Sequence, residues 1–166
     1  MKSSVRNKKE DNMMKKIICT ILAVGFITFC SCAQSNKSSN GNTAMESKIN
    51  VTVNGITKTA TLENNSSTQA LIELLKKGNV TVHTDDYGSF EKVGSFGSSL
   101  PQNNTQINTV PGDIILYLGT NICFYYGNNN WNFTRLGKLD ITDVNDIKDF
   151  LNAGNGNTDI VLSLVQ

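Results

Sequence analysis

A short polar and aromatic cluster, Tyr87, Phe90, Glu91 and Lys92, is the first part of the chain whose residue types suggest ligand chemistry. The rings offer apolar contact surface, and either charged side chain would orient a ligand at the rim of a pocket. The alternative is a transition from a loop to a strand, in which the two rings pack and the two charged groups are solvated. The sequence leaves both interpretations open.

Phe124 and Tyr126 form a second pair of candidate binding residues. They alternate with Cys123 and Tyr125, so a strand would place the two pairs on opposite faces. We expect one pair to fill the core of the domain, whereas the other lines a groove and stacks on a ligand. Cys123 itself is expected to be a small buried hydrophobic residue rather than a reactive nucleophile.

Arg135 and Trp131 complete the set of candidate ligand-binding residues. The planar guanidinium of Arg135 suits a carboxylate or a peptide carbonyl, and the alternative is a surface ion pair. Trp131 follows three asparagines, and an exposed tryptophan beside a polar loop suits recognition of a peptide or a sugar. The alternative is that Trp131 packs under that loop.

No motif indicates a metal, a cofactor or a catalytic centre. His83 lies near Asp85 and Asp86, but no second histidine or cysteine supports a metal site there. The sequence has no glycine-rich phosphate loop, nucleophile elbow or Ser-His-Asp order. We therefore expect neither a metal nor a cofactor, and we predict no catalytic residue.

The elements that must position these side chains are mostly strands. Residues 47–62 predict a hairpin around Asn54-Gly55, the strongest short turn signal. Residues 98–110 predict a long polar loop, and a turn is expected at 85–88 and another at 127–130. Further apolar or alternating segments predict strands at 80–84, 113–118, 121–126 and 160–165. Residues 131–139 predict either a strand pair or one strand with a bend at Gly137, and residues 91–96 form a short mixed segment.

Two helices are predicted, at 67–77 and 143–153. Ser66, Ser67 or Thr68 would cap the first helix, and Asp143 the second. Eight strands and two helices favour a mostly β fold, a closed eight-stranded antiparallel barrel capped by two α-helices. Closure is favoured because it leaves no exposed strand edge.

The N-terminus indicates export. Within residues 1–31, Lys15 and Lys16 precede an apolar run and a small residue at Ser31, the pattern of a secretory signal, although Met1, Met13 and Met14 are all candidate starts. Cys32 follows directly, so the segment resembles a bacterial lipoprotein signal with the lipid on Cys32. The alternative is an ordinary secretory signal. Residues 32–46 then predict the lipidated cysteine and a flexible polar tether, and residues 47–166 the folded domain.

Removal of residues 1–31 changes the charge balance. The remaining chain has nine basic and twelve acidic residues, a net charge of −3. Scattered lysines on a mildly acidic domain argue against nucleic acid as a partner. We expect a monomer in the bacterial cell envelope, in either leaflet, with the lipid on Cys32 as its membrane contact and a peptide or small molecule as its ligand.

Several short segments together carry a family resemblance. They resemble the bacterial cyclophilin-like domain family over nearly all of residues 48–164, in the order and spacing of their motifs. The resemblance implies an eight-stranded barrel capped by two helices, which the strand count also favours. The segments are VNG at 53–55, ATLENNSSTQALIELL at 60–75, DYGSFEKVG at 86–94, SLP at 99–101, PGDIILY at 111–117, ICFYYG at 122–127 and RLGK at 135–138.

Family resemblance does not by itself imply activity. True cyclophilins isomerise prolyl bonds with a strand arginine beside an apolar proline pocket, and their Phe-His-Arg strand signature is absent here. Arg135 and His83 are the single arginine and histidine in residues 47–166. We therefore expect a non-catalytic domain that binds a peptide or small ligand in a barrel-side groove. A weak peptidyl-prolyl isomerase and a structural component of an envelope complex are the alternatives.

Overall fold

The computed structural model describes residues 47–166, which form nine strands and two helices. The helices are α1 (Ser66–Leu75) and α2 (Val144–Phe150). The strands are β1 (Lys48–Val53), β2 (Ile56–Leu62), β3 (Val80–Tyr87), β4 (Glu91–Ser95), β5 (Thr105–Thr109), β6 (Asp113–Tyr117), β7 (Asn121–Tyr125), β8 (Asn129–Leu139) and β9 (Thr158–Leu164).

Eight of the strands close into a barrel. Their order is β2-β1-β9-β3-β4-β7-β6-β8, and β8 pairs back with β2, every pairing being antiparallel. The closed eight-stranded antiparallel barrel predicted from the sequence is confirmed. The ninth strand, β5, pairs with β8 in a separate short ribbon.

The first hairpin forms where the Asn-Gly pair predicts it. Asn54 and Gly55 both have positive φ, +49° and +79°, the backbone that a two-residue hairpin turn of matching twist requires. The turn fixes the register, so alternate β1 residues point to one side. Ile49, Val51 and Val53 are consequently buried inside the barrel.

Both helices begin at side-chain caps. Asp143 caps α2 as predicted, accepting from the backbone N–H groups of Asn145 and Asp146. The cap of α1 is instead Asn65, which accepts from Thr68 N while the Thr68 hydroxyl accepts from Asn65 N. The predicted cap at Ser66, Ser67 or Thr68 was therefore wrong, because the reciprocal pair satisfies the backbone N–H groups of both Asn65 and Thr68 at once. The apolar residues of both helices join the barrel core, namely Leu71, Leu75, Ile147 and Phe150.

Three loop predictions were wrong. Strand β5 lies within the predicted 98–110 loop, since its single apolar residue, Ile107, gives too weak an alternation to reveal a strand. Strand β3 continues through the predicted 85–88 turn as far as Tyr87. Strand β8 begins at Asn129, inside the predicted turn at 127–130. In each case strand pairing overrides polar local sequence.

The closed sheet separates two apolar clusters. The inner core contains residues such as Ile49, Leu116 and Phe124, all fully buried. A second group, which we call the outer cluster, lies on the outside of the barrel wall. Its buried members are Ile115, Cys123, Tyr125 and Phe133, with Phe90, Val93, Ile107 and Tyr117 packed around them.

Strand β8 carries a bulge where it meets β6. Ile115 pairs with Arg135 but Ile114 pairs with Gly137, so Leu136 is an extra residue on β8. Leu136 is fully buried in the inner core. The bulge therefore turns Leu136 inward just before β8 reaches β2.

Neither helix within residues 47–166 is long and apolar enough to cross a membrane. The predicted signal at 1–31, the lipid site at Cys32 and the tether at 33–46 lie outside the described residues.

Closure of the barrel depends on Gly137. A Cβ atom at this position would lie 2.3 Å from the Thr61 carbonyl oxygen, so β2 and β8 approach too closely for a side chain. We expect Gly137→Ala to lower the free energy of unfolding by about 3 kcal/mol, since backbone must move to relieve the overlap. Urea denaturation measures the change. The exposed neighbour substitution Lys138→Ala should cost less than about 0.5 kcal/mol, and equal losses in both variants would contradict the closure argument.

Candidate groove and polar clusters

A groove lies beside β5 and β8. Its volume is about 470 Å³, and four consecutive residues of β5 contribute to its wall, from Thr105 to Asn108. Consecutive strand residues point to opposite faces, so a groove that contacts all four must follow the strand edge. Within residues 47–166, β5 pairs with β8 alone. The complete lining is Glu63, Thr105, Gln106, Ile107, Asn108 and Arg135.

Arg135 forms an ion pair and also lines the groove. Its Nη2 donates to Asp113 Oδ2 at 2.9 Å, and the Asp113 side chain is only 2% exposed. Asp113 Oδ2 also accepts from the backbone N–H of Val110 at 3.0 Å. The ion-pair alternative for Arg135 is therefore observed, and its guanidinium remains partly exposed at the groove.

The aromatic side chains form a row on the outside of the barrel. Phe90 stacks on Tyr125 with centroids 5.9 Å apart, and Tyr125 lies 6.2 Å from Phe133. Tyr87 meets Phe90 edge-on at 6.0 Å, and Tyr117 meets Phe133 in the same way at 5.9 Å. These separations are typical of favourable aromatic pairs. The row packs along the outer cluster. None of its five aromatic rings lines the groove.

The alternation along β7 resolves which pair faces inward. Phe124 is fully buried in the inner core and Tyr126 is 5% exposed there, whereas Cys123 and Tyr125 belong to the outer cluster. Phe124 and Tyr126 are thus removed from the ligand-binding candidates. The physical reason is strand phase, which puts Ile122, Phe124 and Tyr126 on the side where the barrel is filled.

Lys92 is also an interior residue rather than part of a pocket rim or a solvated loop. Its side chain is fully buried, and its Nζ donates to Asp86 Oδ2 at 2.8 Å and to the Gly156 carbonyl oxygen. Asp86 Oδ1 accepts from the Tyr126 hydroxyl at 2.9 Å and from Gly154 N at 3.1 Å. We call Asp86, Lys92 and Tyr126 the interior polar cluster.

The interior polar cluster satisfies a charge taken out of water. Burial alone would raise the pKa of Asp86. Its hydrogen bonds more than offset that effect and lower the pKa to about 2; the donors are the Lys92 ammonium, the backbone N–H groups of Gly154 and Gly156 and the Tyr126 hydroxyl. Burial and the neighbouring Asp86 carboxylate raise the pKa of Tyr126 to about 12. The cluster therefore ties the segment after α2 to β3 and β4.

The environment of Glu91 is opposite in character to that of Asp86. It lies on β4 directly across from Tyr125 and is 7% exposed. Its Oε2 atom has no hydrogen-bond partner within the described residues. Burial raises the pKa of Glu91, and the Tyr125 hydroxyl and Cys123 thiol offset only part of that effect.

Two further predicted residues stand apart from these clusters. Trp131 is 59% exposed on β8, opposite Ile107 of β5, so it does not pack under a loop. His83 is exposed and contacts Asp159, with Nδ1 2.6 Å from Oδ1. Residues 47–166 contain no group of three or more side chains that would hold a metal ion.

Of the eight predicted ligand-binding residues, Arg135 alone lines the groove. Sequence reasoning missed Glu63 and the β5 residues because neither the course of β8 nor the β5 strand was evident locally. It also missed Asp86 as the partner of Lys92. The alternation Thr84-Asp85-Asp86 beyond Val82 would have placed Asp86 inside, had the strand been extended past residue 84.

The interior polar cluster generates a prediction about stability. Lys92→Met leaves Asp86 buried without its cation, and we expect the free energy of unfolding to fall by about 3 kcal/mol. The double variant Asp86→Asn/Lys92→Met should recover a substantial part of that loss. The Asp86 contribution is present above pH 3.8 and is lost as the pH falls toward about 2. Urea denaturation of the four proteins measures the coupling, and strictly additive losses would refute it.

Comparison with known proteins agrees with the architecture. No curated protein matches the chain at a significant level. The sequence pattern of the cyclophilin-like family, in contrast, matches residues 51–163, which includes the whole barrel except the first residues of β1 and the last residue of β9. The chain belongs to the cyclophilin-like family.

Proposed function

We propose that this cyclophilin-like domain binds a peptide or small ligand in the groove beside β5, with an extended peptide as the favoured ligand. The observation that supports the proposal is the course of the groove along β5, which pairs with β8 alone within residues 47–166 and so has one unpaired edge. A strand edge offers backbone N–H and C=O groups, and an extended peptide pairs with such groups by adding a strand. The groove volume of about 470 Å³ is in the range of small-ligand sites.

The segment around β5 carries no charged side chain, which suits pairing with the neutral backbone of a peptide. Residues 93–112 contain no Asp, Glu, Lys or Arg. Natural edge strands are commonly protected by lysines, prolines or bulges. Strand β5 itself, Thr-Gln-Ile-Asn-Thr, has none of these charged or proline residues. The edge is therefore chemically suited to pairing with another strand.

Arg135 supplies the polar anchor of the proposed site. The Asp113 carboxylate fixes the guanidinium from one side, and the Arg135 side chain is still 35% exposed. A pre-oriented guanidinium loses little freedom when it binds a carbonyl or carboxylate oxygen. Glu63 supplies an acidic group to the same groove, so one ligand would meet charges of both signs.

The cellular setting is part of the same proposal. Residues 1–31 would direct export, Cys32 would carry the lipid anchor, and residues 33–46 would link the anchor to the domain in the bacterial cell envelope. The barrel would be capped by its two helices, which the shared core of helix and strand residues supports. We infer a binding role without catalysis, because the Phe-His-Arg strand signature of isomerases is missing from the sequence.

The role of Arg135 is testable by ligand binding. A library of blocked hexapeptides, screened by fluorescence anisotropy, should yield binders of the wild-type protein. The double variant Asp113→Asn/Arg135→Gln removes the ion pair without leaving a buried charge, and we expect about tenfold weaker binding. Lys138→Gln, a basic residue on the same strand outside the groove, is the control. Unchanged affinity in the double variant would remove Arg135 from the site.

Lipid attachment is testable by labelling. In a bacterial host fed radiolabelled palmitate, wild-type protein and Cys30→Ser should both incorporate label, whereas Cys32→Ser should not, because the thiol that carries the lipid is then missing. Detergent phase partitioning should show the same order. Labelling of Cys32→Ser would overturn the anchor assignment.

A further inference from the structure

The outer cluster is joined to the groove by a two-stranded element. We define the ribbon as β5 together with residues Asn129–Phe133 of β8, which pair with it along its whole length. Ile107 of the ribbon packs against the outer cluster, and Phe133 belongs to it. Because β5 also forms one wall of the groove, any change in the packing of the ribbon changes the groove.

We propose that Glu91 is a pH-dependent positioning residue for the ribbon, and through it for the groove, a proposal whose functional part rests on the proposed ligand binding. Glu91 is 93% buried beside the outer cluster, and its Oε2 has no hydrogen-bond partner in the described part of the chain. A neutral carboxyl group tolerates that position, whereas the Tyr125 hydroxyl and the Cys123 thiol offset only part of the cost of burying an ionised one.

A chain of contacts leads from Glu91 to the ribbon. Glu91 pairs across the sheet with Tyr125, whose hydroxyl accepts from Asn129 Nδ2 at 3.3 Å. Asn129 N donates to Thr109 Oγ1 at 2.8 Å, and the Thr109 hydroxyl donates back to the Asn129 carbonyl oxygen at 3.1 Å. Thr109 is 1% exposed at the end of β5. The Tyr125 ring thus connects the carboxyl group to the point where both ribbon strands meet.

The charged neighbours do not compensate an ionised Glu91. Lys92 is adjacent in sequence but points into the barrel, where Asp86 and the Gly156 carbonyl bind it. Arg135, on β8, is bound to Asp113 of β6. On β3, Tyr87 pairs with Glu91 but is 63% exposed. Neither Lys92 nor Arg135 is therefore left to pair with Glu91.

The remaining titratable neighbours do not ionise in the same pH range. Burial, reinforced by Glu91, raises the pKa of Cys123 and of Tyr125 far above neutrality. Tyr126, on the inner side, has its pKa raised to about 12 by burial and Asp86. Among Glu91, Cys123, Tyr125 and Tyr126, Glu91 consequently changes charge first as the pH rises.

The direction of the effect follows from the raised pKa. Below pH 4.5 Glu91 is protonated in both the folded and the unfolded chain, and its packing contribution is fully present. As the pH rises through the higher folded-state pKa, the folded state must ionise a buried group and loses that contribution. The ribbon then loosens from the outer cluster at higher pH and tightens at lower pH.

The fluorescence of Trp131 can report changes in the packing of the ribbon. It is the single tryptophan of the chain and lies in the ribbon, opposite Ile107. In the intact protein we expect its emission maximum and acrylamide quenching to change with one transition above pH 4.5, and we expect Glu91→Gln to abolish that transition. His83→Asn and Glu73→Gln, which remove an exposed imidazole and an exposed carboxylate outside the groove, should retain it.

Two results would overturn the proposal. One is a flat Trp131 signal in the wild-type protein, and the other is an identical transition in Glu91→Gln. If Glu91→Gln does not fold, the ¹³C chemical shift of the Glu91 carboxyl carbon in the wild-type protein decides, because an ordinary glutamate pKa would equally overturn it. None of these measurements uses a ligand, so failure to find a peptide ligand would count against the proposed function alone.

Discussion

Strand β8 holds the described part of the protein together because three other strands pair with it. Its last residues pair with β2 and close the barrel, its middle pairs with β6, and its first residues pair with β5. One strand can serve all three only because the bulge at Leu136 changes its direction and Gly137 allows close contact with Thr61. The barrel, the ribbon and the groove are therefore consequences of a single strand's geometry.

Closure of the sheet also sets the chemistry of the ionisable groups. Asp86 and Glu91 are both acidic and only five residues apart, yet their pKa values shift in opposite directions. Asp86 points inward to a lysine and two backbone N–H groups, whereas Glu91 points outward into apolar and aromatic side chains. The difference arises from the side of the barrel wall on which each carboxyl group lies.

The site proposed for this family member lies on the outside of the barrel, whereas buried side chains occupy the interior. Large, fully buried side chains such as Phe124 and Ile114 lie on the inside, and the interior polar cluster occupies the region near Gly154 and Gly156. The proposed site lies on the outer surface, where Arg135 and the β5 edge are found. This arrangement is consistent with a fold that supports different functions through residues placed on its surface.

The sequence by itself determined the elements whose signals are local. The Asn54-Gly55 turn, the Asp143 cap and the eight barrel strands each have residues that specify them through neighbours in the chain. The family, too, was evident from short motifs in order. Only the tertiary structure decided that β5 exists, since a strand with one apolar residue is stabilised by its partner β8 rather than by its own pattern. It also decided the partners of Lys92, Arg135 and Glu91, because the environment of a side chain depends on strands that are distant in sequence and adjacent only in the closed barrel.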